Sequence, residues 1–301
     1  MRSSQRIWLL AAAALIAIGV LLFTVGMAAN HWEFSKLDTV KHETYDYEIG
    51  EAFQNIAIHT RTADIRFAVS ETGCKVVCED DETLRHSVEV RNGTLTINAA
   101  EIRQCGAPFG IYITSPKLTV YLPEAQYASL RIQESTGSIE IPAEFRFEEA
   151  YLSLSTGDVN FSASVRGDTE IRTSTGGIHV KSTDVGSLTL SVTTGEVTVS
   201  DVNCKCLESS GSTGDILLKN VNAEEKITIE RSTGDVRLDA SDAAALSVKT
   251  GTGSVSGTLL SDKIFLTQSA SGSVRVPKTT TGGSCEITTS TGDIELEIAG
   301  A

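Results

Sequence analysis

Aromatic side chains are scarce in this 301-residue chain, at 6%, and its only two tryptophans, Trp8 and Trp32, bracket a single apolar run. Clefts that grip sugars and other ring-bearing ligands draw on aromatic walls, so little of that kind is on offer. Basic residues are the second shortage: 25 Lys and Arg stand against 39 Asp and Glu, a formal net charge of -14. Arg2 and Arg6 precede the apolar run, leaving 23 bases against 39 acids in the remainder. With no basic run or basic-aromatic cluster, binding to nucleic acid or anionic headgroups through bulk charge is excluded. Also missing are a nucleophile elbow, a metal-ligand helix and a phosphate loop. The five histidines, His31, His42, His59, His86 and His179, are scattered. No catalytic residue is assigned, and no cofactor is implied.

What is present begins with Ile7 to Ala29, 23 uncharged and nearly all apolar residues. As a helix they span roughly 35 Å, enough for a bilayer core of about 30 Å. Arg2 and Arg6 on one flank and Glu33 and Asp38 on the other place the N-terminus in the cytoplasm and the body outside the cell membrane. A cleaved signal peptide ending near Gly26-Met27-Ala28 is the rival reading, but signal apolar regions run about 7–15 residues. The expected organisation is a cytoplasmic stub over 1–6, an anchor over 7–29 and a linker over 30–51. Irregular coils over 52–134 and a regular repeat over 135–301 follow.

The repeat is one five-residue phrase, STGDI and its variants, written nine times. Its glycines are Gly137, Gly157, Gly176, Gly195, Gly214, Gly234, Gly253, Gly272 and Gly292, always 19 or 20 residues apart. Two residues after each stands Ile or Val: Ile139, Val159, Ile178, Val197, Ile216, Val236, Val255, Val274 and Ile294. Four after, the residue is apolar in every copy but Gly257, and Leu130, Leu188, Leu207, Ile227 and Leu246 lie seven before their glycines. A fixed short period means stacked units that bury apolar faces against one another. Apolar positions five before and two after the glycine are an odd number apart, so the chain must turn between them to bury both. Glycine permits that turn, and the Thr or Ser before it offers a hydroxyl to the bend. The expected fold is all-β: a parallel β-solenoid, right-handed by the preference of parallel crossovers, behind one transmembrane helix. Arg61–Ile65, RTADI, reads as a degenerate corner with Ala63 in the glycine place.

From "LTVYLPE" (Leu118–Glu124) into "SLRIQESTGSIEI" (Ser129–Ile141) and through the STGD-type phrases, the chain resembles the bacterial putative-adhesin family of β-strand-repeat proteins, a domain of unknown function. The resemblance implies a membrane-anchored surface protein without a catalytic motif, in a family with some members tied to envelope stress. The family's Asp after the glycine is replaced here by Ser138, Gly177, Ser254 and Ser273.

Three further expectations follow. Glu196, Asp215 and Asp235, on consecutive coils, form either a calcium ladder or solvated turn acids; calcium-binding solenoids use a shorter repeat. Of the six cysteines, Cys74, Cys78 and Cys105, and separately Cys204 and Cys206, are placed to pair in an oxidising compartment or to remain free thiols, with Cys285 a small buried hydrophobe. Along a rod Cys74 and Cys204 stand near 30 Å apart, so the two pairs cannot share a zinc ion. The third concerns the end of the rod. A final coil without a polar cap exposes strand edges, which points to weak end-to-end self-association through 285–298. The function read from all this is a non-enzymatic surface-interaction protein of the envelope. An accessory or sensor of envelope stress and a polysaccharide-active solenoid enzyme are the alternatives.

Overall fold

Alternating apolar and polar residues become strands whose apolar side chains meet inside a coil. In the strand Arg146–Thr156, Phe147, Ala150, Leu152 and Leu154 are buried; after the corner, Val159 and Phe161 of Val159–Phe161 are buried around an exposed Asn160. The computed structural model describes residues 3–29, 31–32, 42–81, 84–101 and 115–299. About 70% of the chain is strand, wound into a solenoid of about eight turns, and one apolar helix, Ser3–Ala29, precedes it. Its segment Trp8–Ala29 is long and apolar enough to cross a membrane, with a mean hydropathy of 2.6.

Successive coils stack in parallel and in register. Leu130, Ala150, Thr169, Leu188, Leu207, Ile227 and Leu246 pair in turn, and so do Ile139, Val159, Ile178, Val197, Ile216, Val236 and Val255. Every member of the second row is at most 1% exposed, which makes one continuous apolar column.

The corner explains the register. At Gly157, φ is +136°, and a Cβ would lie 1.7 Å from the carbonyl oxygen of Gly137. The same contact joins Ala63 to Gly137 and recurs upward through Gly176, Gly195, Gly214, Gly234 and Gly253. Backbone thus rests directly on backbone, which only glycine allows at that φ. A second bend, in the segment read only as a variable return, sits at Ser182, Asp201, Asn220 and Ala240. Their φ values are +48° to +56°. These residues also stack, and Asn220 Nδ2 donates to Asp201 Oδ1 at 2.9 Å.

Both ends depart from the sequence reading. The stretch expected as a linker contains a strand, His42–Ile49, with Tyr45, Tyr47 and Ile49 packed against the core. It pairs antiparallel with Cys74–Asp81, which pairs antiparallel with Lys117–Leu122; Leu84–Arg91 likewise covers Thr94–Glu101. These antiparallel strands cap the stack. Beneath them the order of coils is not that of the chain, because Asn55–His59 lies between Thr94–Glu101 and Gln126–Thr136. The far end repeats the exchange. Gly283–Thr291 inserts between Val236–Thr252 and Lys263–Ser271, and Ile294–Ile298 between Val255–Leu259 and Val274–Arg275. The coil 285–298, expected to be the outermost, is therefore internal, and the outermost is 263–275. Pairing on both faces leaves Ile294 fully buried, whereas Val274 on the outer coil is 45% exposed.

Gly214→Ala tests the corner, since its Cβ would meet the Gly195 carbonyl oxygen at 2.0 Å at a φ of +129°. Overpacking and backbone strain together give an expected loss of about 3 kcal/mol or more in denaturant unfolding. Gly50→Ala, with nothing within 4 Å of the new Cβ, is expected to stay within about 0.5 kcal/mol of the parent.

Candidate functional site

The acidic row after the corner glycine is the first candidate. Asp215 Oδ1 accepts the backbone N–H of Asp235 at 2.8 Å, and Asp235 Oδ1 that of Ser254 at 2.7 Å. Asp64, Asp158 and Asp293 do the same for Ser138, Gly177 and Ser273. Each of these carboxylates satisfies the bend of the next coil. The Ser273 backbone and hydroxyl donors hold the Asp293 carboxyl below its usual range. Glu196, Asp215 and Asp235 do not gather into a ligand cluster; among the described residues only Cys78, Asp80 and His86 do.

Beside the corner runs an inward row that sequence reasoning missed, three residues before each glycine. Here Thr173, Thr250, Thr289 and Ser269 donate their hydroxyls to the carbonyls of Gly157, Gly234, Gly253 and Gly292. The bend is served by these hydroxyls rather than by the Thr or Ser next to the glycine. Two charged residues interrupt the row. Arg231 is 4% exposed and reaches back over Gly211, where a Cβ would collide with it, to donate to the Val192 carbonyl at 3.2 Å. Burial lowers its pKa. Glu134 accepts the Ala63 N–H at 2.8 Å through Oε1, while Oε2 has no partner, and burial pushes its carboxyl up to about 8. Both were visible as charges in a column otherwise of hydroxyl, apolar or glycine positions.

The open end is the third and largest feature. Lys263–Ser271 and Val274–Arg275 are each paired on one side only. Among the described residues beyond residue 50, the exposed large apolar side chains are Val69, Leu260, Ile264, Leu266 and Val274, so four of five lie here. Ile264 and Leu266 face outward, where the neighbouring coil has Ser284 and Glu286. Val274, 45% exposed, is the one member of its column without a coil above it. Natural edges are blunted with charge. Here Lys263 turns inward, 2.5 Å from Asp242, and the exposed Arg275 is paired with Glu295.

An open groove of about 700 Å³ runs along the stack, lined by Arg146, Arg166, Asp184, Asn203, Lys205 and Asn222. Its charges are largely spent along the stack: Arg166 on Glu148, Asp184 on Asn203 and Lys205 on Glu225. Its one aromatic, Phe147, is buried. Among the described residues no disulfide joins Cys74, Cys78, Cys204, Cys206 or Cys285, and Cys285 is buried as expected of a core residue; Cys105, the other expected partner of Cys74 and Cys78, lies outside the described residues.

The family profile described as Toastrack DUF4097 matches residues 53–297. Among solved structures, a putative adhesin from Parabacteroides distasonis superposes with a TM-score of 0.55 at 14% identity, covering 85% of this chain and 98% of its own. A putative lipid binding protein from the same species gives 0.46 at 15% identity, over 86% and 98%. A putative adhesin from Bacteroides fragilis gives 0.43 at 14%, over 86% and 97%. At such identity the first of these speaks to the fold alone. No curated protein matches the chain.

Glu134 generates a pH prediction. Its folded carboxyl keeps a proton up to about pH 8, whereas the unfolded one loses it near 4.5, so the folded state binds more protons between those values. Stability from this group therefore falls as pH rises from 4.5 to 8 and is level above. Glu134→Gln mimics the protonated acid. Its melting temperature is expected to match the parent near pH 4.5 and to exceed it by several degrees at pH 8; an equal offset at both values would refute the burial effect.

Proposed function

The chain belongs to the Toastrack DUF4097 family, and on that premise we propose that it is a non-enzymatic surface protein of the bacterial envelope, anchored by its N-terminal helix and binding a partner through its open end. The observation that carries this reading is the asymmetry of the two ends. The chain enters the solenoid at the capped end, through His42–Ile49, and the unpaired strands with Leu260, Ile264, Leu266 and Val274 stand at the other. An anchored rod with its anchor on the capped side holds the bare end away from the membrane. A partner strand can add there in the manner of edge-strand recognition, with main-chain bonds for affinity and the apolar side chains for selectivity. Two features support the non-enzymatic reading. Most of the groove's charges pair along the stack, and among the described residues the one chain of hydroxyl, imidazole and carboxylate, Thr60–His86–Asp80, is buried. The orientation, with the N-terminus in the cytoplasm and the solenoid outside, rests on Arg2 and Arg6.

Replacing Ile264 and Leu266 by lysine in the full-length protein tests the reading. Both are exposed, at 53% and 69%, so the fold is expected to survive with an unchanged circular dichroism spectrum and melting temperature. Attachment of cells to their surface or to one another is expected to fall at least several-fold; unchanged attachment overturns the assignment of the open end.

The same edge carries self-association, now through 263–275. Because the opposite end is capped, edge-to-edge pairing of two copies closes a two-fold dimer and does not propagate. Sedimentation of the full chain in detergent is expected to show a concentration-dependent dimer that the double lysine variant loses. Filaments, or a strict monomer at high concentration, would count against it.

A further inference from the structure

Neither the stack nor the open end accounts for a cluster buried in the cap. Cys78 and Asp80 stand two residues apart on Cys74–Asp81 and so share its inward face. His86 points inward from Leu84–Arg91. All three are at most 1% exposed, and a thiol, a carboxylate oxygen and an imidazole nitrogen lie within 4.8 Å of one another. Asp80 Oδ2 accepts the His86 backbone N–H at 2.7 Å, and Oδ1 is 2.5 Å from Nδ1. On the far side of the ring, Nε2 is 2.9 Å from Thr60 Oγ1.

Ordinary core packing would place apolar side chains here. Instead a carboxylate, an imidazole and a thiol are buried together, and burial beside Asp80 pushes the thiol up to about 12. A hydrolytic triad is the other familiar use of such residues. Thr60 at 7% exposure and His86 and Asp80 at 1% leave no approach for a substrate.

We propose that Cys78, Asp80 and His86 form a structural zinc site, with a water as the fourth ligand. One sulfur, one nitrogen and one oxygen donor suit a borderline divalent ion, whereas calcium and magnesium take oxygen ligands throughout. The surroundings are those a ligated imidazole needs: with Nδ1 on the metal, Nε2–H donates to Thr60, and Asp80 is oriented by the His86 backbone. Two ligand atoms on a tetrahedral zinc sit roughly 3.3 Å apart, so the Asp80–His86 separation has to open by less than about 1 Å. Binding expels the thiol proton, while the imidazole keeps its one proton on Nε2, so uptake releases acid and weakens as pH falls. The gain is mechanical. Cys74–Asp81 and Leu84–Arg91 lie along different strands of the outermost coil, Lys117–Leu122 and Thr94–Glu101, and no ladder among the described residues joins them. A shared ion fastens one to the other and closes the cap.

The test uses the full chain in detergent, stripped with a chelator and titrated with cobalt(II), then zinc. One equivalent of cobalt is expected, with a near-ultraviolet thiolate-to-metal band and the visible bands of a tetrahedral site, both bleached by zinc. Cys78→Ser is expected to lose the thiolate band, and Cys206→Ser to keep it. Because Cys78→Ser risks misfolding, the unaltered protein supplies a second measurement. A hundredfold excess of zinc over its Kd is expected to raise the melting temperature by about 5–10 °C relative to chelator. No thiolate band, a band that survives Cys78→Ser, or equal melting with zinc and with chelator would each overturn the proposal.

Discussion

Backbone pressed on backbone at the glycine corner is the contact on which the rest of this protein depends. The carbonyl oxygen of one corner glycine fills the space where the next would carry its Cβ, so each coil can sit on its neighbour in one register only. Fixing the corner fixes the residues two after and seven before it, and those become the apolar column and its partner row. A slip of one residue would turn both rows outward. Away from the corner the constraint relaxes. Bulges between Cys204 and Cys206 and between Ala223 and Lys226 take up the difference between coils of 19 and 20 residues.

Polar satisfaction follows from the same stacking. Because like positions lie one above another, a side chain placed once per coil meets the same backbone group every time. The Asp after the glycine always finds the N–H of the next coil, and the hydroxyl three before finds a glycine carbonyl. The Gly-Asp corner is thus closed by a ladder of short bonds from coil to coil.

What was legible in the sequence is what repeats locally. The phrase, its spacing and the Val/Ile column each needed only nearby residues, and the Ala63 corner could be read by analogy with Gly137. The exchange of the last two coils could not, because the Gly272 and Gly292 phrases carry the same pattern. Only the outward Ile264 and Leu266, against Ser284 and Glu286, hinted at which coil lies outside. The cap was hidden for a different reason. Tyr45, Tyr47 and Ile49 alternate plainly, but no glycine phrase marks them as part of the solenoid. Cys78 and Asp80 share a strand face by spacing, whereas His86 joins them only through the pairing of separate strands.

The interchange of coils at the far end alters how the chain is held together. Since the segment 284–295 is clasped from both sides, it is a keystone rather than a flap. Protease trimming back to residue 282 would strip the partner from Lys263–Ser271 and Val274–Arg275 as well, so two layers come loose together. Unravelling from that end of the solenoid has no cheap first step.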